Sequence, residues 1–205
     1  MNRTPLYRRT LLTGAAAVAA LVPALPALAD PARPLHQDGA AWFTNVEVTA
    51  HDGRTYRFYD DLLRGKIVMI NFFYTDCDEL CPLATQNLAA VRELLDARTG
   101  TAPVSMYSIS LRPARDTPER LAAYARTYGV GPGWLMLTGK PDDIELLRHR
   151  LGFVDSDLLQ DADLEQHLGT VRIANEPMHR WIMTPALLNP AAILRSVKRV
   201  IPEPV

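Results

Sequence analysis

The apolar residues of the chain fall into short runs that predict the strands of a central sheet. Residues 67–73, which read IVMINFF, form a nearly continuous apolar run that is typical of a strand covered on both faces. An alternating pattern on either side of His51-Asp52-Gly53 predicts a β-hairpin with a glycine-bearing turn. Besides residues 67–73, the predicted strands are 46–48 and 56–58 in the hairpin, followed by 104–109, 134–137 and 169–174.

Segments with apolar residues at helical spacing lie between or after the later strands, and each begins at a proline. Thr117, Pro118 and Glu119 carry the signals of a helix N-terminus: a capping hydroxyl, a proline in the first turn and an acidic residue after it. The predicted helices begin at Pro82, Pro118, Pro141 and Pro190. Because strands alternate with helices, we expect an α/β domain with helices on both faces of the sheet.

Residues 1–29 carry the three features of an export signal. Arginines precede an uncharged stretch of mainly Ala, Leu and Val, which ends in the small-x-small pattern Ala27-Leu28-Ala29. The pair Arg8-Arg9, followed by Thr-Leu-Leu, is similar to a twin-arginine signal and indicates export to a bacterial periplasm. The alternative is an uncleaved membrane anchor, since about twenty apolar residues can span a bilayer, although Pro23 and Pro26 disfavour it.

The chain is therefore expected to have three parts: an export signal in residues 1–29, a linker in residues 30–43 and one folded domain in residues 44–205. Of 205 residues, 48% are hydrophobic and 22% are charged, which is typical of a soluble protein with one core. The formal net charge of −1 excludes a dominant nucleic-acid-binding surface, which would need a clustered basic surplus. We expect a periplasmic protein, tethered to a membrane only if the signal is retained.

The chain has two cysteines, Cys77 and Cys81, shortly after the predicted strand 67–73. A disulfide between them would close a loop of about five residues and would constrain the unfolded chain little, so we interpret the pair as functional. Pro82 predicts that Cys81 is the N-cap of a helix, where backbone N–H groups and the helix dipole favour a thiolate. The acidic neighbours of the pair oppose this effect.

Thiolates bind metals and attack disulfides, so two functions are open. Two thiolates with an imidazole suit Cu(I) and also accommodate Cu(II) or Zn. Without a metal, the pair would act as a thiol–disulfide oxidoreductase, in which one cysteine attacks and the other resolves. A copper- or redox-sensing role is a third possibility. A histidine close to the cysteines would favour the metal site.

Residues 65–82 resemble the strand, loop and Cys-x-x-x-Cys-Pro motif of the Sco/SenC family. Residues 115–119, RDTPE, and residues 137–141, LTGKP, are similar to two further blocks of that family. The resemblance implies a thioredoxin-like domain, exported or membrane-tethered, that binds copper through both cysteines and one distant histidine. It also implies delivery of copper to a cytochrome c oxidase subunit or another copper carrier. The three residues between the cysteines, in place of the two of thioredoxins, favour copper over disulfide exchange.

The third ligand of the family is a histidine just before a late strand. His167 lies 86 residues after Cys81 and directly precedes the predicted strand 169–174, so the resemblance assigns it as the third copper ligand. His179 lies beyond that strand and is the fallback. Gln166 stands where family members often have an aspartate, and a carboxylate missing there would loosen the orientation of the His167 ring.

Two other groups of polar residues are interpreted as structural. The acidic residues between positions 155 and 165 lack the spacing and the internal glycine of a calcium loop, so we expect a solvated connector. Arg148, His149 and Arg150 precede Gly152, which predicts a helix end where basic side chains interact with the helix dipole.

Overall fold

A computed structural model describes residues 39–97 and 103–201 of the chain. The predicted export signal and the first part of the predicted linker lie outside these residues. The described strands are β1 Glu47–Ala50, β2 Thr55–Arg57, β3 Ile67–Phe73, β4 Val104–Ser110, β5 Trp134–Gly139, β6 Thr170–Asn175 and β7 Arg180–Pro185. They form one mixed sheet in the order β2-β1-β5-β4-β3-β6-β7.

The helices cover this sheet and largely begin where the prolines predicted them. They are α1 Gly39–Phe43, α2 Leu80–Asp96, α3 Pro118–Thr127, α4 Pro141–Arg150, α5 Leu158–Asp161 and α6 Pro190–Val200. A π-helical turn, Phe58–Leu63, and a 3₁₀ turn, Leu164–His167, complete the described elements. Within the described residues, none of the helices has both the length and the apolar character needed to cross a membrane.

Strand β3 lies at the centre of the fold, as its unbroken apolar run predicted. All seven of its residues are buried, and it pairs in parallel with β4 and antiparallel with β6. Its one polar residue, Asn71, accepts a hydrogen bond from the Ser108 hydroxyl of β4 at 2.7 Å. The Trp134 indole donates to the same hydroxyl at 3.0 Å, so this polar group within the core is fully paired.

Adjacent aromatic residues of β3 show that helices cover both faces of the sheet. Successive side chains of a strand point to opposite faces. The Phe73 ring contacts Tyr124 of α3, with centroids 5.2 Å apart, whereas the Phe72 ring contacts Phe153, which follows α4, at 4.8 Å. The expected α/β arrangement with two covered faces is therefore confirmed.

The structure also contains elements that the pattern did not predict. Strand β7 was missed because it is an edge strand with mostly exposed or half-buried residues, which weakens the alternation of apolar and polar positions. Helix α1 lies within the predicted linker, and its Phe43 ring stacks on Trp181 of β7 with centroids 4.6 Å apart.

Candidate metal-binding site

The two cysteines lie beyond the carboxyl end of β3, beside a surface cavity. The cavity has a volume of about 420 Å³. Cys77 is half-buried and lines it, whereas Cys81 is buried beneath the surface, with 2% of its area exposed. Both are free cysteines. The residues that line the cavity are Tyr74, Asp76, Cys77, Asp78, Glu79, Leu80, Arg112 and Leu168.

The start of α2 differs from the prediction. The helix begins at Leu80, two residues before Pro82, so Cys81 lies in its first turn and is not its cap. The backbone N–H of Cys81 donates to the Cys77 sulfur at 3.3 Å. The Cys77 side chain thus takes the place of a capping group for one of the N–H groups that a helix start leaves unpaired.

This arrangement makes the two thiols chemically unequal. Burial opposes ionisation of Cys77, but hydrogen bonds from the Cys81 side chain and from the backbone N–H groups of Cys81 and Glu79 lower its pKa below the ordinary value. Burial and the neighbouring Cys77 raise the pKa of Cys81 well above the ordinary value. The expectation that Cys81 is the stabilised thiolate was therefore wrong, and Cys77 takes that role.

A buried aspartate fixes the loop that carries Cys77. Asp116 is completely buried and accepts hydrogen bonds from the Thr75 backbone N–H at 3.1 Å, the Thr75 hydroxyl at 2.5 Å and the Ser110 hydroxyl at 2.6 Å. These bonds join the cysteine loop to the end of β4. Asp116 was part of a motif in the sequence, but its role as an anchor depends on contacts between distant segments.

Two arginines neutralise the acidic residue nearest to the cysteines. Arg112 and Arg115 pair with the Asp76 carboxylate at 3.1 Å and 2.8 Å, and the Arg112 guanidinium lies 3.8 Å from the centre of the Tyr74 ring. Partial burial opposes ionisation of Asp76, but the two guanidinium groups outweigh it and lower the pKa of this carboxyl. The sequence indicated that acidic neighbours oppose a thiolate at Cys81; at Asp76 this opposition to either thiolate is reduced by the two guanidinium groups.

His167 ends the 3₁₀ turn that leads into β6, and its side chain is buried. Its Nε2 lies 2.8 Å from the carbonyl oxygen of Asp161 and 2.9 Å from Nη1 of Arg148. The next residue, Leu168, lines the cavity beside Cys77. The histidine turn thus reaches the cysteine cavity through Leu168, while Asp161 and Arg148 hold Nε2 of the ring. Among the described residues, Cys77, Cys81 and His167 do not form a group whose ligand atoms all lie within 4.8 Å of one another.

His179 lies at the other end of β6, in the turn to β7, where its backbone has a φ of 51°. It is exposed and does not line the cysteine cavity. A six-residue strand spans about 20 Å. His179 is therefore separated from the His167 turn by the whole length of β6.

Arg148 is the residue of this region whose role the sequence did not reveal. Its side chain is 2% exposed and pairs with Glu145 and Asp161, whereas its position in a basic helix end predicted only an interaction with the helix dipole. The hydrogen bonds that Arg148 donates to Asp161 raise the pKa of Arg148 and lower the pKa of Asp161 well below its ordinary value. The acidic connector is thus anchored at Asp161, which corrects the expectation of a simply solvated segment.

A second group of potential metal ligands lies next to Arg148. Glu145, His149 and Asp161 place three ligand atoms within 4.8 Å of one another. The guanidinium of Arg148 is hydrogen-bonded to both of these carboxylates, so it already compensates part of their negative charge and occupies an oxygen of each. This group is therefore better explained as an ion-pair network than as a cation site.

A model of the SCO1/SenC family matches residues 37–201 of this chain. The mitochondrial SCO2 homolog of Bos taurus is 35% identical over 81 residues, which are 40% of this chain and 30% of that protein. The mitochondrial SCO2 homolog of Homo sapiens is 33% identical over 86 residues, which are 42% of this chain and 32% of that protein. The chain thus matches about a third of the length of these two relatives.

Solved structures of that family share the fold. A SCO1/SenC family lipoprotein from Bacillus anthracis has a TM-score of 0.60 and 23% identity, covering 76% of this chain and 92% of that one. Yeast Sco1 with copper bound has a TM-score of 0.59 and 18% identity, covering 75% of this chain and 87% of that one. These likenesses confirm the expected fold, a thioredoxin-like sheet with helices on both faces and an N-terminal β-hairpin.

Proposed function

The chain belongs to the SCO1/SenC family, and on this basis we propose that it is a copper metallochaperone with Cys77, Cys81 and His167 as ligands. The chemistry of the donors fits the cargo, because two thiolates and one imidazole form a soft ligand set that suits copper. Yeast Sco1 has been solved with copper bound, and this agrees with the proposal.

The observation that carries the ligand assignment is the pairing of β3 with β6. The two strands are antiparallel, with Asn71 opposite Val171 and Ile67 opposite Asn175. The chain that leaves β3 towards Cys77 and the chain that enters β6 from His167 therefore lie at the same end of the sheet. His179 follows the opposite end of β6, which favours His167 as the third ligand.

The unequal exposure of the cysteines supports a route for copper transfer. Cys77 lines the cavity, whereas Cys81 is buried behind it. A donor group of a recipient protein would meet Cys77 first, so the ligands would be exchanged one at a time from the solvent side. Both cysteines must be reduced to bind, so copper loading is linked to the redox state of the pair.

The proposed cellular location of this activity rests on the sequence. The twin-arginine pattern in residues 1–29 supports export to the periplasm. The recipient proposed there is a cytochrome c oxidase subunit or another copper carrier. A retained signal would tether the domain to the membrane beside such a recipient.

Copper loading of the reduced protein tests this proposal. We expect one copper ion per wild-type chain, and strongly weakened binding in Cys77→Ser, Cys81→Ser and His167→Ala. His179→Ala is the matched control and should bind as the wild type does. Loss of copper in His179→Ala with retention in His167→Ala would show that the ligand assignment is wrong.

Thiol–disulfide exchange is the second candidate function. It is favoured because Cys77, in the loop before α2, is partly exposed, whereas Cys81, in the first turn of α2, is buried. The Cys77 thiolate would attack a substrate disulfide, forming a mixed disulfide and releasing one substrate thiolate. The Cys81 sulfur would then attack the Cys77 sulfur as the Cys81 proton passes to the departing substrate sulfur, which releases the second substrate thiol and leaves a Cys77–Cys81 disulfide. A wild-type protein that reduces a model disulfide but does not bind copper would support this function instead.

A further inference from the structure

The hydrogen bonds of Arg148 use every donor that its side chain has. An arginine guanidinium carries five N–H groups and accepts none. Nε donates to Glu145 at 3.0 Å, and Nη2 donates to the second Glu145 oxygen at 2.5 Å and to Asp161 Oδ2 at 2.8 Å. Nη1 donates to Asp161 Oδ1 at 2.8 Å and to the Phe153 carbonyl at 2.6 Å.

This count determines which nitrogen of His167 carries a proton. The two hydrogens of Nη1 face three partners, because His167 Nε2 lies 2.9 Å away, and the Asp161 carboxylate and the Phe153 carbonyl are the closer acceptors at 2.8 Å and 2.6 Å. The other neighbour of Nε2 is the Asp161 carbonyl oxygen at 2.8 Å, which can only accept. Nε2 therefore donates to this carbonyl, and the lone pair of the neutral ring is on Nδ1.

We propose that Arg148 is a positioning residue for copper: by holding Asp161 it fixes the Nε2–H form of His167 and leaves Nδ1 as the coordinating nitrogen. This inference rests on the proposed function and adds to it. It also gives a physical substitute for the carboxylate that is missing at Gln166. A histidine ligand is commonly oriented by the group that binds its other nitrogen, and here that group is a backbone carbonyl held by an ion pair.

The connection from Arg148 to the ring runs through a single residue, Asp161, whose side chain is 13% exposed. The Asp161 carboxylate binds the guanidinium through both oxygens, and its Oδ1 also accepts the backbone N–H of Asp155 at 2.8 Å. The carbonyl of the same residue accepts from the ring. A substitution that removes the Arg148 guanidinium would thus release the Asp161 carboxylate, and with it the connector and the Asp161 carbonyl that accepts from Nε2.

The tautomer of His167 in the metal-free protein is the direct test. Long-range ¹H–¹⁵N correlation spectra of the histidine rings distinguish a protonated Nε2 from a protonated Nδ1 and require no copper. We expect the Nε2–H form in the wild type and a mixture of both forms in Arg148→Gln. Arg92→Gln is the matched control, because Arg92 is also largely buried and binds a backbone carbonyl and an aspartate, far along α2 from Cys81.

Copper affinity and the spectra of the copper-bound variants provide a second test of the positioning role. In Arg148→Gln we expect copper affinity, measured by chelator competition, to fall about 10- to 100-fold, with altered thiolate-to-Cu(II) absorption and Cu(II) electron paramagnetic resonance spectra. Arg92→Gln should keep the wild-type affinity and spectra. If Arg148→Gln fails to fold, Arg148→Lys replaces it, since three lysine donors cannot serve the five oxygen atoms that the Arg148 guanidinium binds.

The outcomes separate the inference from the function on which it rests. A wild-type ring protonated at Nδ1, or a folded Arg148 variant with unchanged tautomer and copper spectra, overturns the positioning role. A wild-type protein that shows the Nε2–H form but binds no copper contradicts the proposed function, and with it the role of Arg148 in metal binding. A lowered unfolding temperature with unchanged spectra would mean that Arg148 only stabilises the fold.

Discussion

The local environment of each cysteine decides which of the two thiols has the lowered pKa. The sequence placed both sulfurs near a helix start but could not show which one receives the backbone N–H. That assignment depends on the loop conformation of residues 74–79, which Asp116 fixes from a distant segment. The local motif was therefore sufficient to find the site, and insufficient to rank its two thiols.

The two thiols should differ in reactivity towards an alkylating reagent. We expect iodoacetamide at pH 7 to modify Cys77 in the Cys81→Ser variant at least about tenfold faster than it modifies Cys81 in the Cys77→Ser variant. The reason is the exposure and lowered pKa of Cys77 against the burial and raised pKa of Cys81. Peptide mass spectrometry measures both rates, and equal rates would contradict the assigned asymmetry.

Asp116 should contribute to stability more than its position near the surface loop suggests. In Asp116→Ala, the Thr75 N–H and the hydroxyls of Thr75 and Ser110 lose their acceptor, and we expect the free energy of unfolding to fall by about 3 kcal/mol. Urea denaturation measures the change. Glu93→Ala, an exposed substitution on α2, should stay within about 0.5 kcal/mol of the wild type.

Among the helices and strands, the buried ones were predicted more accurately from the sequence than the exposed ones. Strand β3 was predicted to the residue because it is covered on both faces, and α3, α4 and α6 begin at their predicted prolines. The start of α2 was displaced because a sulfur from outside the helix caps it. Strand β7 was missed because an exposed edge leaves little apolar pattern.

The central strand β4 carries a tyrosine that should limit stability at alkaline pH. Burial raises the pKa of Tyr107 to about 12. Because the folded protein holds the phenolic proton more tightly than the unfolded chain, this contribution to stability is complete below about pH 10 and is lost as the pH rises towards the folded value.

We therefore expect the wild type to lose about 1 kcal/mol relative to Tyr107→Phe between pH 8 and pH 11. Urea denaturation of both proteins at each pH measures the difference. A constant difference between the two proteins over this range would show that Tyr107 titrates alike in the folded and unfolded states.

For the whole molecule, the sequence supplied the family, the two-faced α/β arrangement and the expectation of export. It could not supply the network of Arg148, because residues 145, 148, 161 and 167 meet only after the connector folds back on α4. A basic helix end and an acidic connector each have a simple local explanation, and only their contact reveals a shared role. Long-range pairing of charges is thus the part of the site that patterns along the chain do not encode.

Export should depend on the arginine pair in the first ten residues. Replacing Arg8 and Arg9 together by lysine should prevent transport through a twin-arginine pathway, so the protein should accumulate in the cytoplasm of a bacterial host. Cell fractionation followed by immunoblotting measures the distribution. Arg3→Lys is the matched control and should leave transport unchanged, whereas export of the double variant would indicate a different route.

The antiparallel pairing of β3 and β6 determines which insertions in the chain the proposed site should tolerate. Two strand–helix units, β4–α3 and β5–α4, intervene along the chain between the sulfur pair and the imidazole. Their lengths do not decide whether the proposed ligands lie at the same end of the sheet, because the antiparallel ladder of β3 and β6 decides this. Insertions in the turn at residues 129–133 should therefore be tolerated, whereas a one-residue slip between these two strands would dismantle the ligand set.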